Sequence, residues 1–293
     1  MTNLSTKSKR LATKSTREPI ARGLEFLVRA RDAEGWWRDF ETLAGESDEW
    51  VSAFAAWAIA PLPEGRKLAE DTFELLAFRE REEGWGYRAG VPADCDSTAW
   101  VCRLAARLGR SCETGVGALQ RSRRENGGMP TYRAAGPIRR FTGLPHTMPF
   151  HGWTSPHVCV SANALAVLSG DAALRRFVES AREPDGGWSG YWWPDRAYPT
   201  WLAATALGWD ARAWAEACPE SSAFSLACRG ALGAESAVEP LLALQADDGG
   251  WPASARLRVP APEAIDPAGA RESLDHNRVY TTAMALGALR GTL

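Results

Sequence analysis

Residues 241–251 read LLALQADDGGW, and the same phrase recurs four more times along the chain. It appears as FLVRARDAEGWW at 26–37, LLAFREREEGWGY at 75–87, ALQRSRRENGGMPTY at 118–132 and FVESAREPDGGW at 177–188. Each copy is an amphipathic run, a polar residue, a short acidic turn, then glycine and usually an aromatic. The turn glycines Gly35, Gly84, Gly127, Gly186 and Gly249 stand 49, 43, 59 and 63 residues apart. A period of this size with helical patterning in each unit predicts stacked helix pairs. Glycine ends the helix by supplying the tight-turn backbone. The aromatic that follows folds back over the helix end, so Trp37, Trp85, Trp188 and Trp251 are expected to clamp one pair to the next.

After each phrase comes a second, more apolar helix: SDEWVSAFAAWAIA (47–60), DSTAWVCRLAARLG (96–109), HVCVSANALAVLSG (157–170), YPTWLAATALGW (198–209) and VYTTAMALGALRG (279–291). A helix apolar nearly all round is buried. The phrase helices keep a polar face, for instance Arg175, Arg176 and Glu179. The expected architecture is therefore all-α: an (α/α)6 barrel, or alpha-alpha toroid, with buried helices inside amphipathic ones. Five pairs are clear, and residues 210–230, broken at Pro219, could supply a sixth. No strand-like alternation of useful length is seen.

The barrel is expected to occupy residues 18–293 as one domain. Residues 1–17 are basic, rich in Ser and Thr and free of acid, and read as a disordered tail. A net charge of −2 gives no argument for nucleic acid as a partner. No apolar run approaches the roughly 18 residues of a membrane span. The six cysteines (95, 102, 112, 159, 218 and 228) are scattered, and reduced thiols in a cytoplasmic protein are the expectation.

Three segments together resemble the squalene-hopene cyclase and class II terpene cyclase family. Gln245 to Trp251 resembles its QW motif. DCDSTAW at 94–100 resembles its Asp-x-Asp-Asp-Thr-Ala acid motif. DGGWSGYWWPDRAYPTW at 185–201 is similar to a further Trp- and Tyr-rich family segment. The resemblance implies cyclisation of a polyprenyl or meroterpenoid chain, started by a proton from the middle Asp of the motif, here Asp96, without metal or other cofactor. Asp94 matches the first Asp. Ser97 stands where squalene-hopene cyclases have a last Asp. In CVSAN, Asn163 takes the place of the family's acid-partnering His, and Cys159 that of an Asp. Squalene-hopene cyclases also pair two barrels, whereas this chain holds one. The resemblance thus implies either a homodimer or second-barrel partner, or a shorter substrate held by a single barrel.

The residues themselves permit this chemistry. An alkene is a very weak base, so its acid must be strong yet still protonated near neutral pH. Burial and a neighbouring carboxylate keep one carboxyl of a pair protonated. A helix N-terminus then favours the carboxylate left behind. Capping by Asp94 or Asp96 is the plain alternative. Asn163 can donate to the acid, although an amide carries no charge. A carbocation needs aromatic faces, and Trp50, Trp100, Trp192, Tyr198, Trp201 and Tyr280 all lie at inner-helix starts or in their loops. These six are the expected cavity lining. The Pro- and Gly-containing segment 133–156 suits a lid. Its Arg139 and Arg140 could meet a diphosphate or stay solvated. His146, His151 and His157 lie in the same region without metal-ligand spacing, and no metal site is expected. Two further readings stay open: a prenyltransferase-like enzyme, and a non-catalytic barrel that binds an isoprenoid or a partner chain. A peripheral place at a membrane surface is compatible with each.

Overall fold

The computed structural model describes residues 16–291. The tail expected over 1–17 falls outside these residues except for its last two, and Arg17 already opens a helix. Six inner helices form a closed ring: α2 (Glu49–Ile59), α4 (Cys95–Leu108), α8 (Val158–Val167), α10 (Ala197–Leu207), α12 (Ala223–Ala231) and α14 (Val279–Arg290). Each packs on the next, and α14 closes back on α2. Six outer helices precede them in the chain: α1 (Arg17–Arg29), α3 (Pro63–Phe78), α5 (Glu113–Ser122), α9 (Ala172–Ser180), α11 (Arg212–Ala217) and α13 (Val238–Ala243). The count is six pairs. The sixth is the stretch around Pro219, which lies between α11 and α12 because a proline cannot continue a helix.

The recurring phrase builds one joint, used repeatedly. The indole N–H of Trp37 donates to Leu27 O at 2.8 Å, that of Trp85 to Leu76 O at 2.7 Å, that of Trp188 to Val178 O at 2.8 Å and that of Trp251 to Leu241 O at 2.7 Å. Each ring thereby satisfies a carbonyl near the end of the outer helix before it. The backbone N–H of the same four tryptophans donates to a hydroxyl on the following inner helix: Ser52, Thr98, Thr200 and Thr282. The third repeat has Met129 instead, and its N–H still reaches Ser161 Oγ at 2.8 Å. The turn glycine is required by space as well as by backbone. Gly249 has φ +90°, and a Cβ there would meet Arg22 O at 2.3 Å.

Two short antiparallel hairpins were not legible as strands: β1 (Asp39–Thr42) with β2 (Gly45–Ser47), and β3 (Arg256–Val259) with β4 (Arg271–Leu274). They touch through Ser273 Oγ, which donates to Glu41 O at 2.8 Å. The segment 133–156 holds two short helices, α6 (Ala135–Thr142) and α7 (His151–Thr154). Together these pieces cover the ring at the N-terminal ends of its inner helices. Among the described residues no helix is long and apolar enough to cross a membrane. All six cysteines are free thiols, and Sγ of Cys102 lies 3.0 Å from that of Cys112.

Candidate active site

Helix α4 begins at the acid motif, and the two aspartates take different tasks. Asp94 is the N-cap: its Oδ1 accepts from Ser97 N at 2.8 Å and its Oδ2 from Ser97 Oγ at 2.7 Å. The serine that replaces the family's last Asp is thus a second donor to the cap. Asp96, in the first turn, is left free of capping. Its Oδ2 accepts from the indole N–H of Trp50 at 2.9 Å and its Oδ1 from Nδ2 of Asn163 at 2.9 Å. Asn163 sits in the middle of α8, and its own Oδ1 accepts from Nη1 of Arg103 at 2.8 Å. Arg103 is buried at 8% exposure. Its guanidinium lies over Trp100 at 4.2 Å and Trp57 at 4.3 Å from the ring centroids.

Sequence reading missed Arg103, although a signal was there. It follows Asp96 by seven residues, two helical turns along one face of α4. A charge in the middle of a largely apolar helix, as Arg103 is ahead of Arg107 in the last turn, is rarely buried without a partner. Here its charge reaches the acid through one amide.

Both carboxyls resist ionisation. Burial pushes Asp96 up to about 6, against the opposing pull of the Asn163 and Trp50 hydrogen bonds and the Arg103 charge. Burial pushes Asp94 up to about 7, with the Ser97 bonds opposing and the Asp96 charge adding to the rise. Arg103 is lowered to about 9 by burial and stays a cation near neutral pH.

Asp94 and Asp96 line a cavity of about 550 Å³ whose wall is largely apolar. Trp50 and Trp192 are in the wall as expected. Trp100, Tyr198, Trp201 and Tyr280 are not; they are fully buried below it, which corrects the expected lining. Trp100 and Trp201 stack on each other within the ring, with centroids 6.3 Å apart. Tyr198 and Tyr280 do start inner helices, but other rings cover them. Trp193 lies 4.2 Å from Tyr198, and Trp50 lies 5.0 Å from Tyr280. The two phenols satisfy each other by a 2.7 Å hydrogen bond. Trp193, Trp153, Tyr132, Tyr87 and Phe141 line the cavity instead. Trp193, Tyr132 and Tyr87 come from loops and Phe141 and Trp153 from the short helices α6 and α7 of the insert, where the repeat gives no address.

The segment 133–156 contributes Ile138, Phe141, Leu144, Met148 and Trp153 to the wall, so it roofs the acid as a lid would. Its arginines do not enter. Arg139 donates to Met148 O at 2.9 Å and lies over Phe150, and Arg140 is exposed and outside the wall. His157 is buried, stacks on Tyr191 at 3.8 Å and is lowered to about 4 by burial, whereas His146 and His151 are exposed. Among the described residues no three His, Cys, Asp or Glu side chains come together as a metal site. A second cavity of about 290 Å³ meets the first at Asp94 and Tyr132 and carries Arg121, Arg124 and Arg133.

No family model matches the sequence, and no curated protein matches it. Solved structures do. A variant of the type II terpene cyclase MstE from Scytonema, in complex with geranylgeranyl dihydroxybenzoate as substrate, is 28% identical. It has a TM-score of 0.88 over 97% of this chain and 99% of that one. Another variant of the same cyclase, with merosterolic acid A as product, is also 28% identical, with a TM-score of 0.88 over 96% and 98% of the two chains.

The chain belongs to the class II terpene cyclases.

The fold of this cyclase extends further. ent-Copalyl diphosphate synthase from Streptomyces platensis is 18% identical, with a TM-score of 0.55 over 83% of this chain and 50% of that one, a likeness of fold alone. The cyclase described here has the alpha-alpha toroid of the family and is an enzyme of that class.

Proposed function

We propose that this enzyme cyclises a polyprenylated aromatic, a meroterpenoid precursor, and that Asp96 supplies the starting proton. The observation that carries the reading is the setting of Asp96. One carboxyl, raised by burial and held by two N–H donors, faces an apolar cavity of about 550 Å³. That volume is in the range of small-molecule sites. The MstE structures with geranylgeranyl dihydroxybenzoate as substrate and with merosterolic acid A as product support the substrate class.

In the proposed reaction the Asp96 proton moves to the terminal alkene, whose π electrons form the new C–H bond. The cation left at the more substituted carbon is attacked by the next alkene, closing a ring and passing the charge along the chain. Loss of a proton from carbon ends the reaction, so substrate and product are isomers. Asp96 becomes a carboxylate at the start. The N–H groups of Trp50 and Asn163 already point at its oxygens and need no rearrangement to stabilise that charge. Arg103 polarises the Asn163 amide and supplies, from behind, the positive charge that an amide lacks. The faces of Trp50, Trp192 and Trp193 stabilise the travelling cation.

Because lid and hairpins close the cavity within one chain, the proposal needs neither a second barrel nor a homodimer. A cytoplasmic setting with the mouth resting on a membrane belongs to the same proposal, supported by Leu43 and Phe141, two wall residues that are 93% and 42% exposed.

The test is Asp96→Asn assayed on geranylgeranyl dihydroxybenzoate beside the wild type. The expected outcome is a cyclised isomer from the wild type, none from the variant, and unchanged circular dichroism. Full turnover by the variant would remove Asp96 from the reaction.

A further inference from the structure

Resting on the meroterpenoid reading of this site, we infer that the substrate's head group is an uncharged ring bearing O–H or N–H donors, such as a prenylated hydroquinone, and that diphosphate or carboxylate heads are disfavoured. The terminal alkene must reach Asp96, so the head lies away from it, toward the exposed wall residues Leu43, Phe141 and Glu263.

The charges of the wall decide what that end accepts. Among the described residues, the charged side chains lining the cavity are Asp94, Asp96 and Glu263, all acidic, and the wall contains no Lys, Arg or His. Glu263 is exposed at the rim and forms no ion pair among the described residues. An anionic head would meet a like charge there and a largely apolar wall behind it, with no cation to offset its desolvation.

The nearby arginines are turned to other work. Arg139 is held by Met148 O at 2.9 Å, Arg258 by Trp193 O at 2.7 Å and by Gly190 O, and Arg88 reaches Ala44 O at 3.2 Å. Nε of Arg139 and of Arg258 is buried without a partner, and none of the three arginines lines the cavity wall.

Donors are scarce at this rim as well. Its segment Pro260-Ala261-Pro262-Glu263 has two prolines, which lack an N–H. The indole N–H of Trp153 is spent on Pro260 O at 3.0 Å, and the Thr142 hydroxyl on Arg139 O at 3.1 Å. What remains open is the Glu263 carboxylate, an acceptor, together with the Tyr132 hydroxyl and the ring faces of Trp153 and Tyr132, which line the same wall. That combination stacks an aromatic ring and accepts a hydrogen bond from it. The benzoate carboxylate of the MstE substrate would find no cation in this wall.

The experiment compares three probes with one tail: geranylgeranyl hydroquinone, geranylgeranyl dihydroxybenzoate and geranylgeranyl diphosphate. Binding to Asp96→Asn, read by tryptophan fluorescence, is expected to be about tenfold or more tighter for the hydroquinone than for either anion. Glu263→Lys in the same background is expected to strengthen both anions and narrow that gap. An anion binding as tightly as the hydroquinone overturns the inference. Wild-type turnover of the same probes is followed by mass spectrometry and separates the two claims. If the binding order holds but no probe is cyclised, the head-group inference stands and the protonation reading fails. Binding of none of the three counts against both.

Discussion

Nη1 of Arg103 donates to Oδ1 of Asn163 at 2.8 Å, and this bond joins a buried cation to the candidate acid without bringing the two into contact. A guanidinium placed directly on Asp96 would hold it ionised and useless as a proton donor. Set one amide away, it would assist the carboxylate formed in the proposed reaction and still leaves the resting pKa raised to about 6. Arg103→Gln is expected to lower kcat by about 10- to 100-fold, the range of a hydrogen bond to a charged group. It should also move the pH profile of kcat upward, because the charge that holds Asp96 down is gone. Arg103→Lys should recover part of both effects. A profile that does not move would leave Arg103 with a packing role only.

Trp50 combines a donor with an aromatic face, and a single substitution separates them. Trp50→Phe keeps a ring in the wall but removes the N–H that lies 2.9 Å from Asp96 Oδ2. A fall in kcat of about tenfold with KM little changed is expected, since the lost bond strengthens as the carboxylate forms. A rise in KM alone would mean that Trp50 binds substrate and does not serve the acid.

Stability should fall as pH rises. Asp94 and Asp96 hold their protons to about 7 and about 6, well above the ordinary carboxyl range. Burial also raises Asp39 and Asp275, which cap the start of α14 and the turn before it. Between about pH 4 and 8 these four carboxyls bind more protons folded than unfolded, outnumbering the buried His157, which is lowered to about 4 and acts the other way, so stability declines through that window. Urea midpoints measured at about pH 5 and 8 should differ accordingly, and Asp96→Asn should shrink the difference. An equal or steeper slope in the variant would contradict the assignment.

The joints between pairs should matter to stability alone. Trp188→Phe removes the 2.8 Å bond to Val178 O, at a site far from the cavity wall. A loss of about 1–3 kcal/mol is expected from leaving a buried carbonyl unpaired. Turnover at moderate temperature should stay within about twofold of the wild type. Selective loss of activity in a fully folded variant would show that the joint tunes the site.

The architecture was legible because its joint is written five times: glycine at positive φ, then a clamp, then a hydroxyl on the next inner helix. The place of the candidate acid was legible for a similar reason, two aspartates opening an apolar helix, and Asn163 donates to Asp96 from the next inner helix. The lining was legible only in part. Tyr198 and Tyr280 begin inner helices, as cavity residues would, but Trp193 from a loop and Phe40 from the first hairpin fold over them. Phe40 can do so because a bulge between Asp39 and Glu41 and a φ of 52° turn it inward. Such local backbone turns leave no periodic trace. The hairpins were missed because strands of three or four residues are too short for alternation to register.

The cover over the ring comes from stretches of chain that the repeats do not specify, chiefly residues 133–156 and the two hairpins. On the proposed reading, proton delivery is written in the helices and substrate preference in the inserts between them. Exchanging an insert with a homologue's would alter which molecule is taken in while the proton source stayed where it is, so new products could evolve, or be engineered, by changing loops alone.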